Sequence, residues 1–276
     1  MKVSMKFYKS IQLYIFLFSA LSMSAQSIEF PYSRSKKDLY LIPIGIAAYV
    51  TEQHMGKRDH NLTLEEITLL NRNDINRFDR NATYHWNRSA DKFSDVLYKT
   101  APFLPMTLAI PQLKNKNWDN TVTLGVMYIE VFLFTKGITG ITKSLVGRTR
   151  PYLYNTAFTP EERLNFQGNE APKASTSFFS GHSSGTFAFA VLFSKTYTDI
   201  YGKGTWSTVI WGTSLTLATL TAVSRVAAGE HFPTDVFVGA VVGSAIGYGI
   251  PALHKLNSQK LSLNIFPGYL RIAYTL

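Results

Sequence analysis

Residues 204–253 read GTWSTVIWGTSLTLATLTAVS, then RVAAGEHFPTD, then VFVGAVVGSAIGYGIPAL. The outer stretches run 21 and 18 positions without a charged residue, close to the ~20 apolar residues an α-helix needs to cross a hydrocarbon core. They predict two consecutive helices, both candidate spans. In the second, Gly239, Gly243 and Gly247 recur every four residues and make a smooth face that a neighbouring backbone can approach closely, in a membrane or in a soluble bundle. Pro233 suits a first helical turn. Asp235 lies four beyond His231, close enough to orient its imidazole and stabilise the imidazolium. For that pair alone, a capping Asp beside a structural His is an equal reading.

Upstream the alternation of apolar helix and polar connection continues at about 101–113, 119–142 and 185–201. The first of these holds Pro102, Pro105 and Pro111, and the second holds Glu130 and Lys136, which makes them weaker spans. The run LYLIPIGIAAYV at 39–50 is interrupted by Pro43 and Gly45 and reads as a buried or interfacial helix that does not cross. Over 51–96 the chain turns polar. Thr63 followed three residues on by Glu66 is a capping box for a short helix at 63–70. The remainder, rich in Asn, Asp and Arg, reads as a surface loop whose oxygens resemble calcium ligands, but the EF-hand glycine and closing glutamate are missing. The N-x-[ST] triplets at Asn61, Asn81 and Asn87 match the chance expectation for such a loop. At the end, Leu261, Leu263 and Ile265 alternate before Pro267-Gly268, and Leu270, Ile272 and Tyr274 alternate after it, a small β-hairpin. The expected divisions are 1–25, 26–96 (helix and polar loop), 97–255 (helical bundle) and 256–276 (hairpin tail).

Composition sets the frame. The chain has 276 residues, 46% hydrophobic and 17% charged, with a mean hydropathy of +0.00. It is too apolar for a disordered tail and too polar for lipid-facing helices alone. A formal charge of +10 favours an anionic partner. With no cysteine, disulfides, thiolate metal sites and cysteine nucleophiles are excluded. The beginning, with Lys2, Lys6 and Lys9, an apolar run at 11–21, then Ser22, Ser24 and Ala25, has the layout of a secretory signal peptide, or of an uncleaved anchor. Either way the following segment is expected outside the cytoplasm, in the cell envelope.

Two further motifs stand at helix ends. In KSLVGRTRP, 143–151, Lys143 and Arg150 lie seven apart, about two helical turns, so both can clamp one anion. Basic residues in such a place also serve as interfacial anchors. In STSFFSGHSSG, 175–185, small residues before a helix leave N–H groups open as an anion cradle, and His182 stands where it can hand over a proton. A plain serine-rich cap with an exposed histidine is the alternative. With helices running up and down from 119–142 to 234–253, the end of the first, the start of the second, the end of the third and the start of the fourth share one side. All three motifs then meet.

The order K-x6-R-P, S-G-H and S-R-x5-H-x3-D resembles the signature of the type 2 phosphatidic acid phosphatase (PAP2) superfamily, related in fold to class A acid phosphatases and vanadium haloperoxidases. The resemblance covers 143–235 and the helices around it. It implies an all-α bundle with several short membrane-associated helices, and a phosphatase that needs no metal or other cofactor. By carry-over Lys143, Arg150 and Arg225 bind phosphoryl oxygens, and Ser180 with the Gly181 amide completes the cradle. His182 protonates the leaving oxygen, His231 attacks phosphorus, and Asp235 orients His231. Phe179 stands where the family usually has proline. A phosphoryl transition state, with charge on three equatorial oxygens, calls for such parts.

The expected substrate is a lipid phosphate or diphosphate at the membrane. The alternatives are a soluble periplasmic acid phosphatase, a vanadate-dependent haloperoxidase and a non-catalytic phospholipid-binding module. An oriented nucleophile has no use in simple anion binding. Nucleic acid is not an expected partner, because no helix-turn-helix, zinc spacing or aromatic-basic platform is present. If 39–50 does not cross and spans begin at 101–113, the motifs face the periplasm; a crossing by 39–50 reverses this. Tyr152, Tyr154, Phe158 and Phe166 either line an entrance for the lipid or pack their own loop.

Overall fold

The computed structural model describes residues 30–55, 62–166 and 174–256, and the backbone alone of 261–266 and 269–274. The expected leader or anchor at 1–25 lies outside the described residues. The helices are α1 Asp38–Met55, α2 Leu64–Leu69, α3 Arg88–Thr100, α4 Phe103–Met106, α5 Ala109–Lys114, α6 Trp118–Val146, α7 Pro160–Leu164, α8 Gly181–Tyr201, α9 Thr205–Ala227 and α10 Pro233–His254. The chain is mostly helical, and α6, α9 and α10 are long and apolar enough to cross a membrane. The expected terminal hairpin is not shown; of 261–266 and 269–274 the backbone alone is described. Helix α3 runs through residue 96, so the polar segment and the bundle join within one helix.

Local chemistry sets the helix ends that matter for the site. Helix α6 stops because Gly147 takes a left-handed φ of 59°, and its N–H donates to Lys143 O at 3.0 Å. Helix α8 starts at Ser180, whose hydroxyl accepts the Ser183 N–H at 3.3 Å. Helix α10 starts with Pro233, and Asp235 Oδ2 accepts the Phe232 N–H at 2.9 Å. The capping box of α2 forms as its sequence suggests, with Thr63 N–H donating to Glu66 at 2.8 Å.

The glycine face of α10 receives α8 backbone to backbone. A Cβ added at Gly239 would stand 2.7 Å from Ser180 O; at Gly243, 2.8 Å from Ser184 C and nearer still to its oxygen; at Gly247, 3.0 Å from Ala188 C. Ser180 N–H donates to Asp235 O at 3.0 Å, which pins the start of α8 to the start of α10. The main apolar core, including Leu108, Met127, Val131, Ala188 and Leu192, fills the bundle away from these starts.

Helix α1 is not among the helices long and apolar enough to cross a membrane, in keeping with its reading as a helix that does not cross, though it is exposed and not buried. Its 18 residues extend about 27 Å, and only Gly45 is buried. It runs parallel to α6: Gly45 lies against Leu133, Ala48 against Gly137 and Glu52 against Gly140. Its outer face is apolar, with Leu39 72% and Tyr40 69% exposed. Ahead of α1, Tyr32 OH donates to Asp199 at 2.7 Å, Ser33 N–H donates to His254 O at 3.0 Å, and Arg34 pairs with Asp119. Asp119 is in the first turn of α6, 24 residues before Lys143, about 36 Å along the axis. Residues 30–34 and the three motifs thus lie at opposite ends of the bundle.

Candidate functional site

The ends of α6 and α9 and the starts of α8 and α10 bring the three motifs to one cavity of about 610 Å³. Lys143, Arg150, Gly181, His182 and His231 line it, and Tyr98, Pro102, Phe132 and Phe189 form apolar wall. Ser180, Arg225 and Asp235 are buried behind that lining.

Lys143 sits in the last turn of α6, and its ammonium donates to Thr176 O. Arg150 is not two helical turns further on, as the spacing suggested. The helix ends at Val146, and Arg150 adopts an extended backbone with φ −74° and ψ 149°, its N–H bonded to Ala174 O at 2.9 Å. The two cations meet because the chain turns back after Gly147. Arg150 pairs with Glu230, and Arg225 Nη2 lies 3.1 Å from the same Glu230 oxygen. Arg225 also pairs with Asp91 and donates to Ser94 Oγ at 3.2 Å. Glu230, fully buried, therefore bridges both arginines.

Gly181 faces α6: a Cβ there would stand 3.4 Å from Thr139 Cγ2 and 3.8 Å from Lys143 Cε. His182 Nε2 is 2.8 Å from Asp95 Oδ1, and its ring lies 4.4 Å from that of Tyr98. His231 Nδ1 is 3.7 Å from Asp235 Oδ2 and has no hydrogen-bond partner among the described residues. The expected orienting bond is thus not formed. The Asp235 carboxylate is taken by Arg148 Nη1 at 2.5 Å, Ser177 Oγ at 2.5 Å and the Phe232 N–H at 2.9 Å. Asp235 fixes the turn that carries His231, not the ring itself.

The polar segment supplies groups that the motifs did not reveal. Asp79 is fully buried; it pairs with Arg148 at 2.8 Å and accepts Thr234 Oγ1 at 2.6 Å and Thr234 N–H at 3.0 Å. Asp91 and Asp95 reach Arg225 and His182 from α3. Their i, i+4 spacing on a helix was the available signal. The oxygen-rich look of 71–96 thus corresponds to carboxylates placed on site cations. Asn87 spends its side chain capping α3, accepting Ser89 and Ala90 N–H at 3.0 Å. Among the loop aromatics, Phe158 stacks on Trp86 at 3.9 Å, and Tyr152 and Phe166 are buried beside it. They pack the loop, and none lines the cavity.

Charge sets the resting protonation. Burial, then the Arg225 charge, pushes His182 down to about 4, against the opposing pull of Asp95. Burial, then Lys143, Arg150 and Arg225, hold His231 well below the ordinary histidine range. The His182 hydrogen bond holds the Asp95 carboxyl below the usual carboxylate range. At Asp79 burial works upward, but bonds from Arg148, Thr234 and Asn76 prevail and hold it low. At neutral pH both imidazoles are neutral, so one can act as a nucleophile, and a bound phosphate dianion would favour protonation of the other.

Residues 124–259 match the family model of the PAP2 superfamily. No solved structure matches the chain. The matched residues include every helix end that builds the cavity's cationic rim, and family membership points to phosphatase activity: the chain belongs to the PAP2 superfamily.

Proposed function

We propose that the protein is a metal-independent lipid phosphatase that removes a phosphoryl group from a lipid phosphate or diphosphate through a phosphohistidine. The observation that carries this reading is the single cavity in which Lys143, Arg150, Gly181 at a helix start and two histidines adjoin apolar wall. Lys143, Arg150 and Arg225 hold the phosphoryl oxygens, with Ser180 and the Gly181 amide completing the cradle. His231 attacks phosphorus as the neutral imidazole; the P–N bond forms as the P–O bond to the lipid breaks. His182, protonated in the substrate complex, gives its proton to the leaving oxygen. In the second step neutral His182 takes a proton from water as the water oxygen displaces His231. Every role falls to a side chain or backbone group.

A membrane setting is favoured over a soluble enzyme by the apolar residues that α1, α6, α9 and α10 turn outward, Leu145, Val223 and Phe237 among them. The short connections at the end opposite the cavity carry Arg34, Lys36, Lys37, Lys114, Lys116, Lys203 and Lys255, which favours that end inside and the cavity on the periplasmic face. Residues 30–34 then lie on the inner side, the reverse of the expectation from the leader-like beginning.

The test is phosphate release in EDTA from lipid phosphates, lipid diphosphates and a soluble monoester, with alkali-quenched labelling of the enzyme. His231→Ala is expected to lose both turnover and acid-labile phosphate. Labelling that persists in His231→Ala, or release from no substrate while phosphate still binds, overturns the reading.

A further inference from the structure

Away from the phosphoryl cavity, three titratable side chains from three helices meet inside the protein: Asp38 at the start of α1, Glu130 in the middle of α6 and His254 at the end of α10. One ligand-type atom of each lies within 4.8 Å of the others. His254 Nε2 is 2.8 Å from Glu130 Oε2 and 3.7 Å from Asp38 Oδ1. Its Nδ1 is 3.2 Å from the Ser33 carbonyl oxygen, which can only accept, so Nδ1 carries the proton. Nε2 is left facing the two carboxylates. A backbone carbonyl that fixes the far ring nitrogen is how proteins present histidine to a metal.

Hydrogen bonds do not complete the cluster. Glu130 is fully buried, yet its Oε1 has no hydrogen-bond partner among the described residues; Asp38 Oδ1, also shut off from solvent, has none. Of the other charged groups at this end, Arg34 pairs with Asp119, Lys195 and Lys255 pair with Asp199, and Lys37 Nζ donates to Leu253 O at 3.5 Å. Two carboxylates against one imidazolium leave one negative charge over, a costly state in the interior of a candidate span. A divalent cation with neutral imidazole brings the sum to zero. Ligands on a tetrahedral ion with bonds of about 2.0–2.1 Å stand about 3.3 Å apart. The 3.7 Å pair needs only a small approach, and the 2.8 Å pair opens by about half an ångström once Nε2 loses its proton.

We propose that Asp38, Glu130 and His254 form a structural site for a divalent transition-metal ion, with Zn²⁺ the representative of a mixed imidazole and carboxylate donor set. The ion replaces the proton on His254 Nε2, which is released to solvent, and water completes the coordination. It staples the start of α1, and the Ser33 segment with it, to α6 and α10. Glu130 precedes Lys143 by 13 residues, about 20 Å along the helix, so the ion takes no part in phosphoryl transfer.

The test uses the untagged full chain in detergent, stripped with chelator and dialysed. ZnCl₂ is titrated against MgCl₂, with bound metal per chain and the thermal midpoint as readouts. The expected result is one Zn²⁺ per chain, a midpoint that rises with Zn²⁺ and not with Mg²⁺, and at least tenfold weaker binding in both Glu130→Gln and Asp38→Asn. Failure of the stripped wild type to take up stoichiometric Zn²⁺ overturns the proposal and leaves an imidazolium between two carboxylates. Undiminished binding in both variants overturns it too. Neither readout depends on phosphatase activity.

Discussion

Gly243→Ala tests whether the backbone contact between α8 and α10 sets the phosphoryl cradle. The added Cβ would stand 2.8 Å from Ser184 C and nearer still to its oxygen, where an ordinary C···O contact is about 3.3 Å. The obstacle is main chain, so α8 must retreat by on the order of 1 Å. Overpacking of this kind costs about 1–3 kcal/mol, which for a chain of this size lowers the thermal midpoint by roughly 2–4 °C per kcal/mol. Ser184 lies within one turn of Gly181 and His182, and a misplacement of about 1 Å at reacting groups is worth about 100-fold in rate. Gly249→Ala is the control. It lies on the same helix with nothing within 4 Å of the new methyl, and such a change in a helix interior stabilises by up to about 1 kcal/mol. Thermal unfolding in one detergent and initial rates of phosphate release are compared for the two variants. Equal midpoints and equal kcat would refute the idea that the glycine face positions the cradle.

Acid should destabilise the substrate-free protein through His182. Its folded pKa, about 4, lies below the ordinary value of 6.5, so its contribution is complete above pH 6.5 and is lost as pH falls toward 4, worth about 3 kcal/mol. Between pH 7.5 and 4.5, His182→Gln should lose less thermal stability than wild type, and equal losses would count against this. Glu230→Gln leaves Arg150 and Arg225 without their shared buried carboxylate. It is expected to cost about 3–5 kcal/mol while making inorganic phosphate a stronger inhibitor, and an unchanged inhibition constant would contradict the bridge's role. Because the chain lacks cysteine, Ser35→Cys and Leu145→Cys can each be probed alone with an impermeant maleimide on intact cells. Labelling of Leu145→Cys only is expected; labelling of both from one side would show that the bundle does not cross.

The helices of the matched region were legible because long uncharged runs bounded by Gly, Pro and Ser carry their own boundaries. Up-and-down parity was then enough to predict that Lys143, His182, Arg225 and His231 gather at one end. Arg150 reached the right place for a different reason, since the left-handed turn at Gly147 undoes the helical spacing. Asp79, Asp91, Asp95 and Glu230 stayed hidden because their meaning lies in partners 69 to 155 residues away. The placement of helix α1 was not legible, because it follows from glycines on α6 that only the fold brings opposite it.

The lining of the cavity extends along α6 from Lys143 to Phe132, about 16 Å, with Tyr98 and Pro102 across from it. For the lipid phosphatase proposed above, this direction runs with the acyl chains of a bilayer, so its substrate would arrive by diffusing in the leaflet and never have to leave it. The concentration the enzyme senses is then the mole fraction of phosphorylated lipid in the surface. Diluting vesicles into more buffer should leave the rate per enzyme unchanged, whereas diluting substrate with neutral lipid should lower it.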